Sequence, residues 1–169
     1  MALPSGTCQG FYLHNIGVDL ESNPHACLTF LVRHAWLSMR TVVAAVLAEH
    51  GLSVAQYGTL VLLAEQPGST VAEVARKVGT ARQSANELLG GLERSGLIER
   101  RAHPRDRRSQ QVFLTELGRD RIDAASPAVQ AVEAQLEAEF SAADREAARS
   151  WLVHMASSAA PSAEEFSTN

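Results

Sequence analysis

Apolar residues spaced three and four apart dominate the first third of the chain. Leu28, Leu31, Val32, Ala35, Trp36, Met39, Val42, Val43 and Val46 share one face and predict a helix over residues 25–50, ended by Gly51. Residues 1–24 carry Pro4, Gly6, Gly10 and Gly17, which interrupt any period, while Phe11, Tyr12, Ile16 and Val18 give such an arm apolar anchors. Three shorter helices follow, each opened by Ser or Thr with Glu or Gln three residues on. Ser53-Val54-Ala55-Gln56 opens one that carries Tyr57, Leu60, Val61 and Leu63 and stops at Pro67-Gly68. Thr70-Val71-Ala72-Glu73 opens the next, ending near Val78-Gly79, and Thr80-Ala81-Arg82-Gln83 opens the third, ending near Ser95-Gly96. In each, a hydroxyl can accept from the amide three residues on while the Glu or Gln reaches back. One such match is weak; three in register between apolar segments are a strong signal.

The period then changes. Residues 97–114 hold two short strand-like runs around a loop containing Pro104, with Arg100, Arg101, Arg105, Arg107 and Arg108 gathered on it. A helix is expected from after Thr115 to about Ala125, with Pro127 kinking or restarting it. Val129, Val132, Leu136 and Phe140 give the following stretch an apolar stripe. A last helix starts near Ser141 and contains Trp151, Leu152 and Met155, and residues 157–169 read as a loose tail.

The 169 residues, 46% of them hydrophobic, suit one folded domain with helical appendages. No apolar run approaches the roughly 20 residues that span a bilayer, and no secretory signal is evident, so a cytoplasmic protein is expected. Cys8 and Cys27, neither in a CxxC, argue against a disulfide framework or a metal site. The formal net charge is −4, but its distribution matters more than its sum. Between Arg76 and Arg121 eleven Lys/Arg face six Asp/Glu, a local +5, and the remaining four basic and thirteen acidic residues leave −9 elsewhere. A basic middle between acidic ends points to a polyanion.

Two helices joined by a tight turn at Gly79 form the arrangement of a helix-turn-helix. Val71, Ala72, Val74, Ala75 and Val78 are small enough to pack the first helix, and Ala85, Leu88, Leu89 and Leu92 bury the second. That leaves Thr80, Arg82, Gln83, Ser84, Asn86 and Glu87 exposed at the start of the second. Arg suits guanine, and Gln or Asn suits adenine, through paired hydrogen bonds in the major groove. The arginine loop that follows suits phosphates and a narrow minor groove. The order helix, helix, strand, arginine loop, strand is that of a winged helix.

Leu52-Ser53-Val54-Ala55-Gln56-Tyr57, Val71-Ala72-Glu73-Val74-Ala75 and Leu92-Glu93-Arg94-Ser95-Gly96-Leu97-Ile98-Glu99-Arg100 together resemble the MarR family of transcription regulators. Asp106-Arg107-Arg108-Ser109 and Leu114-Thr115-Glu116-Leu117-Gly118 are similar to the family's wing signature and the start of its next helix. The resemblance covers about residues 28–155. It implies a mostly α fold with a small β-hairpin wing: a winged helix-turn-helix domain at 52–118, flanked by dimerisation helices at 25–51 and 119–156. It also implies a homodimeric repressor of pseudo-palindromic operators, released by a small aromatic, phenolic or oxidising effector, with no cofactor. Asp106 then braces the wing, and Arg108, with Arg105 and Arg107 nearby, meets the DNA. The family's effector pocket would draw on Arg33, His34, Trp36, Leu37, Arg40 and Tyr57.

An oxidant-sensing branch of that family places a cysteine near Cys27. Here its position is held by Thr29, and the tyrosines that would activate it correspond to Val43 and Val54. Two other classes compete with the repressor. An enzyme would need a nucleophile elbow, phosphate loop, metal-spaced His/Cys set or paired carboxylates, none of which occurs; His14, His25, His34, His50, His103 and His154 are scattered. A winged helix that recruits protein would carry a neutral or acidic recognition face, and Arg82 beside the arginine loop does not fit it.

Overall fold

Six helices and a three-stranded antiparallel sheet make up residues 28–106 and 109–158, the part of the chain that the computed structural model describes. Helix α1 runs Leu28–Glu49 and α2 Val54–Glu65, followed by strand β1 (Ser69–Thr70), α3 (Val71–Val78) and α4 (Arg82–Arg94). The hairpin β2 (Ile98–Ala102) and β3 (Gln110–Leu114) comes next, then α5 (Glu116–Leu136) and α6 (Ala142–Ser158). Two compact units result, one ending at Val129 and the other beginning at Gln130.

The core of the first unit is aliphatic. Leu47 of α1, Leu60 and Leu63 of α2, Val74 of α3, Leu89 and Leu92 of α4 and Val112 of β3 are all fully buried. Burying each such side chain contributes about 1.5–3 kcal/mol. The sheet order is β1-β3-β2, with Ser69 opposite Val112 and Arg100 opposite Val112 on the other side. The strand β1 escapes sequence reading because two residues carry no periodicity.

Two of the three predicted capping boxes form as expected, at Ser53/Gln56 and Thr70/Glu73. Around Glu73, the Thr70 amide and hydroxyl donate to the carboxylate and, with Arg76 and Lys77 behind them, hold its pKa below the usual glutamate range. A depressed carboxylate contributes stability that is present above its unfolded pKa, about 4.3, and lost as pH falls through the lower folded value. Glu73→Gln is therefore expected to flatten the acid limb of thermal stability between pH 5 and 3, read by circular dichroism melts; an unchanged limb would remove the box as a contributor.

Three expectations need correction. Pro127 does not restart a helix: α5 passes through it from Glu116 to Leu136. The amide that proline lacks would have bonded the carbonyl of Asp123, and both residues are exposed, so water can satisfy that group. Residues 157 and 158, expected in the tail, belong to α6, whose start is capped by Ser141 and Asp144. And α1 is long and apolar enough, by length and composition, to cross a membrane: its most apolar 18-residue window has a mean hydropathy of 1.3 and is only 6% buried. Arg33, His34 and Arg40 break the run that sequence inspection looks for.

The predicted apolar face of α1 is also only half used. Val43, Val46 and Leu47 pack on the core, whereas Leu28, Val32, Trp36 and Met39 stay exposed, Trp36 at 53%. Within the first unit, two polar pins fasten α5: Arg121 Nη1 donates to the His50 carbonyl at 2.8 Å, and the hydroxyls of Tyr57 and Ser126 lie 3.1 Å apart.

Candidate nucleic-acid interface

The turn between α3 and α4 sets the site. Gly79 ends α3 in the left-handed region (φ 71°, ψ 38°), where a side chain would be strained. This geometry sends the amides of both Gly79 and Thr80 back to the Ala75 carbonyl. Thr80 is thereby used as the end of α3, and the predicted capping box at Thr80/Gln83 does not form. Ala81 becomes the N-cap of α4, with no side-chain cap bond, and Gln83 turns instead to Glu87, Nε2 to Oε1 at 3.3 Å. The first amides of α4 are thus left without a side-chain acceptor from the cap, at the end of the helix dipole that favours anions.

Helix α4 buries Ala85, Leu89 and Leu92 and leaves Arg82, Gln83, Ser84, Asn86 and Glu87 exposed, as its periodicity implied. Thr80 and Leu88 are half-buried, Thr80 more so than expected and Leu88 less. Beside the helix lies a cleft of about 490 Å³. Arg82, Gln83 and Asn86 of α4 form one wall, Thr70, Val71 and Ala72 at the start of α3 another, and Arg100, Ser109 and Gln110 of the hairpin a third. The structure therefore brings three of the recognition-helix candidates, Arg82, Gln83 and Asn86, and the root of the wing onto one surface, while Thr80 and Ser84 lie outside the cleft lining.

The hairpin tip is shaped by His103. Its amide donates to the Ser109 carbonyl, and its Nδ1 accepts from the amides of Arg105 (3.3 Å) and Asp106 (3.0 Å). Arg105 and Asp106 are exposed at this tip, and the Asp106 carbonyl accepts from the Ser109 amide. Arg107 and Arg108 lie outside the described residues, as does Cys27.

Arg100 and Arg101, expected on the loop with the other arginines, stand instead in strand β2, where each has a partner that fixes it. The Arg101 guanidinium lies 4.5 Å from the centre of the Phe113 ring and pairs with Glu99. Arg100 is only 13% exposed and turns toward α4. The signal was available: Ile98 and Arg100 are two apart in β2, so an arginine sits in the phase of a buried residue and must find a partner there.

The effector candidates fall in two places. Arg33, Trp36 and Arg40 stand exposed along α1. His34 is half-buried, edge-on to Phe30 with ring centres 4.2 Å apart, and its Nδ1 is buried without a hydrogen-bond partner among the described residues. Tyr57, on α2, packs on the core and meets Ser126.

Comparison with known proteins completes the picture. A family model described as MarR family matches residues 50–109. The HTH-type transcriptional repressor Rv2887 of Mycobacterium tuberculosis is 32% identical over 117 residues, which span 69% of this chain and 84% of the relative. The solved structure of the transcriptional repressor CouR bound to a 23-mer DNA duplex is 30% identical, with a TM-score of 0.72, covering 77% of this chain and 92% of that one. The structure of the Mycobacterium tuberculosis MarR family protein Rv2887 in complex with salicylic acid is 29% identical, with a TM-score of 0.65, covering 78% and 98%.

Proposed function

The chain belongs to the MarR family and is a DNA-binding transcriptional repressor rather than an enzyme, and we propose that it works as a homodimer on pseudo-palindromic operators in the cytoplasm. The observation that carries this reading is the surface shared by Arg82, Gln83 and Asn86 with the hairpin root at Arg100, Ser109 and Gln110. Guanidinium and amide side chains at a helix start can read base edges in the major groove. The wing, with Arg105, Arg107 and Arg108 steadied by Asp106, would follow the adjoining backbone and minor groove. Such an interface is sequence-reading on the helix and charge-driven on the wing.

The dimer would be held by the apolar surface that α1 leaves uncovered at Leu28, Val32, Trp36 and Met39, and by that of α6 at Leu152, Val153 and Met155, each exposed by at least 38%. A second chain is the economical cover for helices this apolar. We further propose that a small aromatic or phenolic acid releases the DNA. The salicylic acid held by the related repressor supports that class. In this chain, Arg33 and Arg40 offer cations, Trp36 and Tyr57 apolar surface, and the Nδ1 of His34, which has no hydrogen-bond partner among the described residues, a polar anchor.

Fluorescence anisotropy with duplex DNA across a salt series tests the DNA reading. Arg108→Ala should weaken selected and random duplexes alike and make the log–log salt slope shallower by roughly 0.9 for each phosphate no longer neutralised. Gln83→Ala should mainly erode the preference for the selected sequence, by about 1–3 kcal/mol. Binding that is absent in low salt would sink the reading outright.

A further inference from the structure

Arg100 lies across α4 on a single helical stripe. Its Nη1 donates to Asn86 Oδ1 at 2.8 Å and its Nη2 to the Asn86 carbonyl at 3.3 Å. Its Nε sits 3.1 Å from Glu93 Oε2, within ion-pair distance though not aligned for a hydrogen bond. Between those anchors is Gly90, where an added Cβ would come within 3.9 Å of Nη2. Residues 86, 90 and 93 are spaced four and three apart, so they fall on one face of the helix. The guanidinium thus lies along about two turns of α4, while its own backbone is a rung of the hairpin opposite Val112.

We propose that Arg100 is a positioning residue that sets the recognition helix against the wing, and that Asn86 serves as its strut instead of reading a base. The proposal rests on the DNA-binding reading above and reassigns one residue of it. An asparagine that reads adenine uses its carbonyl oxygen as acceptor and its amide as donor together. Here the oxygen is already held by a charged donor at short range, which ties the amide to Arg100 instead of leaving it free to turn to a base. Arg100 is likewise unsuited to a phosphate: all three of its nitrogens face α4, and its side chain is 13% exposed. What it supplies is a fixed angle between two DNA-contacting elements, and an error of an ångström there moves Arg82 and Gln83 off their bases.

The test uses the full chain and two duplexes: the tightest sequence that the wild-type protein recovers from a randomised 30-base-pair library, and a scramble of it. Arg100→Gln and Asn86→Ala should each cut the preference between them at least tenfold, with scrambled-duplex affinity changed less than threefold and the salt slope unaltered. The double variant should be no worse than the worse single one, because both remove one interaction. Arg100→Lys keeps the charge without the fork and should fail as the glutamine variant does. Asn86 is exposed, so its variant keeps the test alive should substitution at Arg100 unfold the protein. Equal losses on both duplexes with a slope shallower by about 0.9 would make Arg100 a phosphate contact and overturn the proposal. So would additive effects, or a lysine variant that behaves as wild type. If the wild-type protein recovers no preferred sequence, the DNA-reading premise fails first and takes the proposal with it.

Discussion

Gly118→Ala is expected to be the most damaging conservative change in this chain, lowering unfolding stability by roughly 3 kcal/mol. A Cβ at this position would stand 2.1 Å from the Leu97 carbonyl oxygen and 3.1 Å from its carbon, where an ordinary contact needs about 3.5 Å. The obstacle is backbone, so no rotamer change relieves it. It is also backbone in use: the Leu97 carbonyl accepts from the Thr115 amide at 3.1 Å. Thr115 Oγ1 in turn donates to the Gly96 carbonyl at 2.7 Å and accepts from the Gly118 amide at 3.0 Å. Backing α5 away from β2 would therefore break the cap of the helix and the start of the hairpin together. For a domain of this size the melting temperature should fall by on the order of 10 °C. Gly90→Ala is the control, since its Cβ would meet only the flexible ends of Arg94 and Arg100 at 3.4 and 3.9 Å. There the gain in helix propensity, about 0.5–1 kcal/mol, should offset the contact. If both variants melt alike, the close approach at Gly118 has been misjudged.

That glycine shows how far a sequence can be read. The string from Leu114 to Gly118 announces a helix start, but not that the glycine exists for the Leu97 carbonyl, on the far side of the whole hairpin. Local signals did well where the physics is local. The caps at Ser53 and Thr70 and the apolar phases of α3 and α4 all follow from neighbours within four residues. The same reasoning failed at Thr80, because the amide it needed to leave free was claimed by Ala75 of the preceding helix. Pro127 misled it on the restart for the opposite reason: the Asp123 carbonyl that loses its donor is exposed and can turn to water. In the candidate site, exposure of Arg82, Gln83 and Asn86 was legible from periodicity. The engagement of Asn86 by Arg100 was not, because fourteen residues and a turn separate them. Only the alternation within β2 hinted at it.

Trp36→Glu is expected to turn the protein from dimer to monomer and to weaken binding to a two-site duplex at least a hundredfold. In the single chain Trp36 is 53% exposed, with Val32 and Met39 beside it on the same stripe, so a glutamate there need not disturb the fold. In a two-fold interface the same position occurs on both copies. A buried tryptophan at the centre of an interface is worth about 2 kcal/mol or more, so two copies approach roughly 4 kcal/mol, or about a thousandfold in dissociation constant. The loss at DNA follows from geometry. Two recognition helices must meet half-sites about 34–36 Å apart on one duplex, and a monomer forfeits the effective concentration that the linked second site provides. Sedimentation equilibrium and anisotropy on one- and two-site duplexes separate these effects: the variant should sediment as a monomer, keep its affinity for a single half-site, and lose only the gain from the second. Leu152→Glu, on α6 at 52% exposure, should repeat the pattern if both helices serve the same interface. A Trp36 variant that remains dimeric with full two-site affinity would leave the exposed stripe of α1 without the role assigned to it. Since α1 also has the length and hydropathy of a membrane span, wild-type partitioning into lipid vesicles would be the outcome that reassigns it.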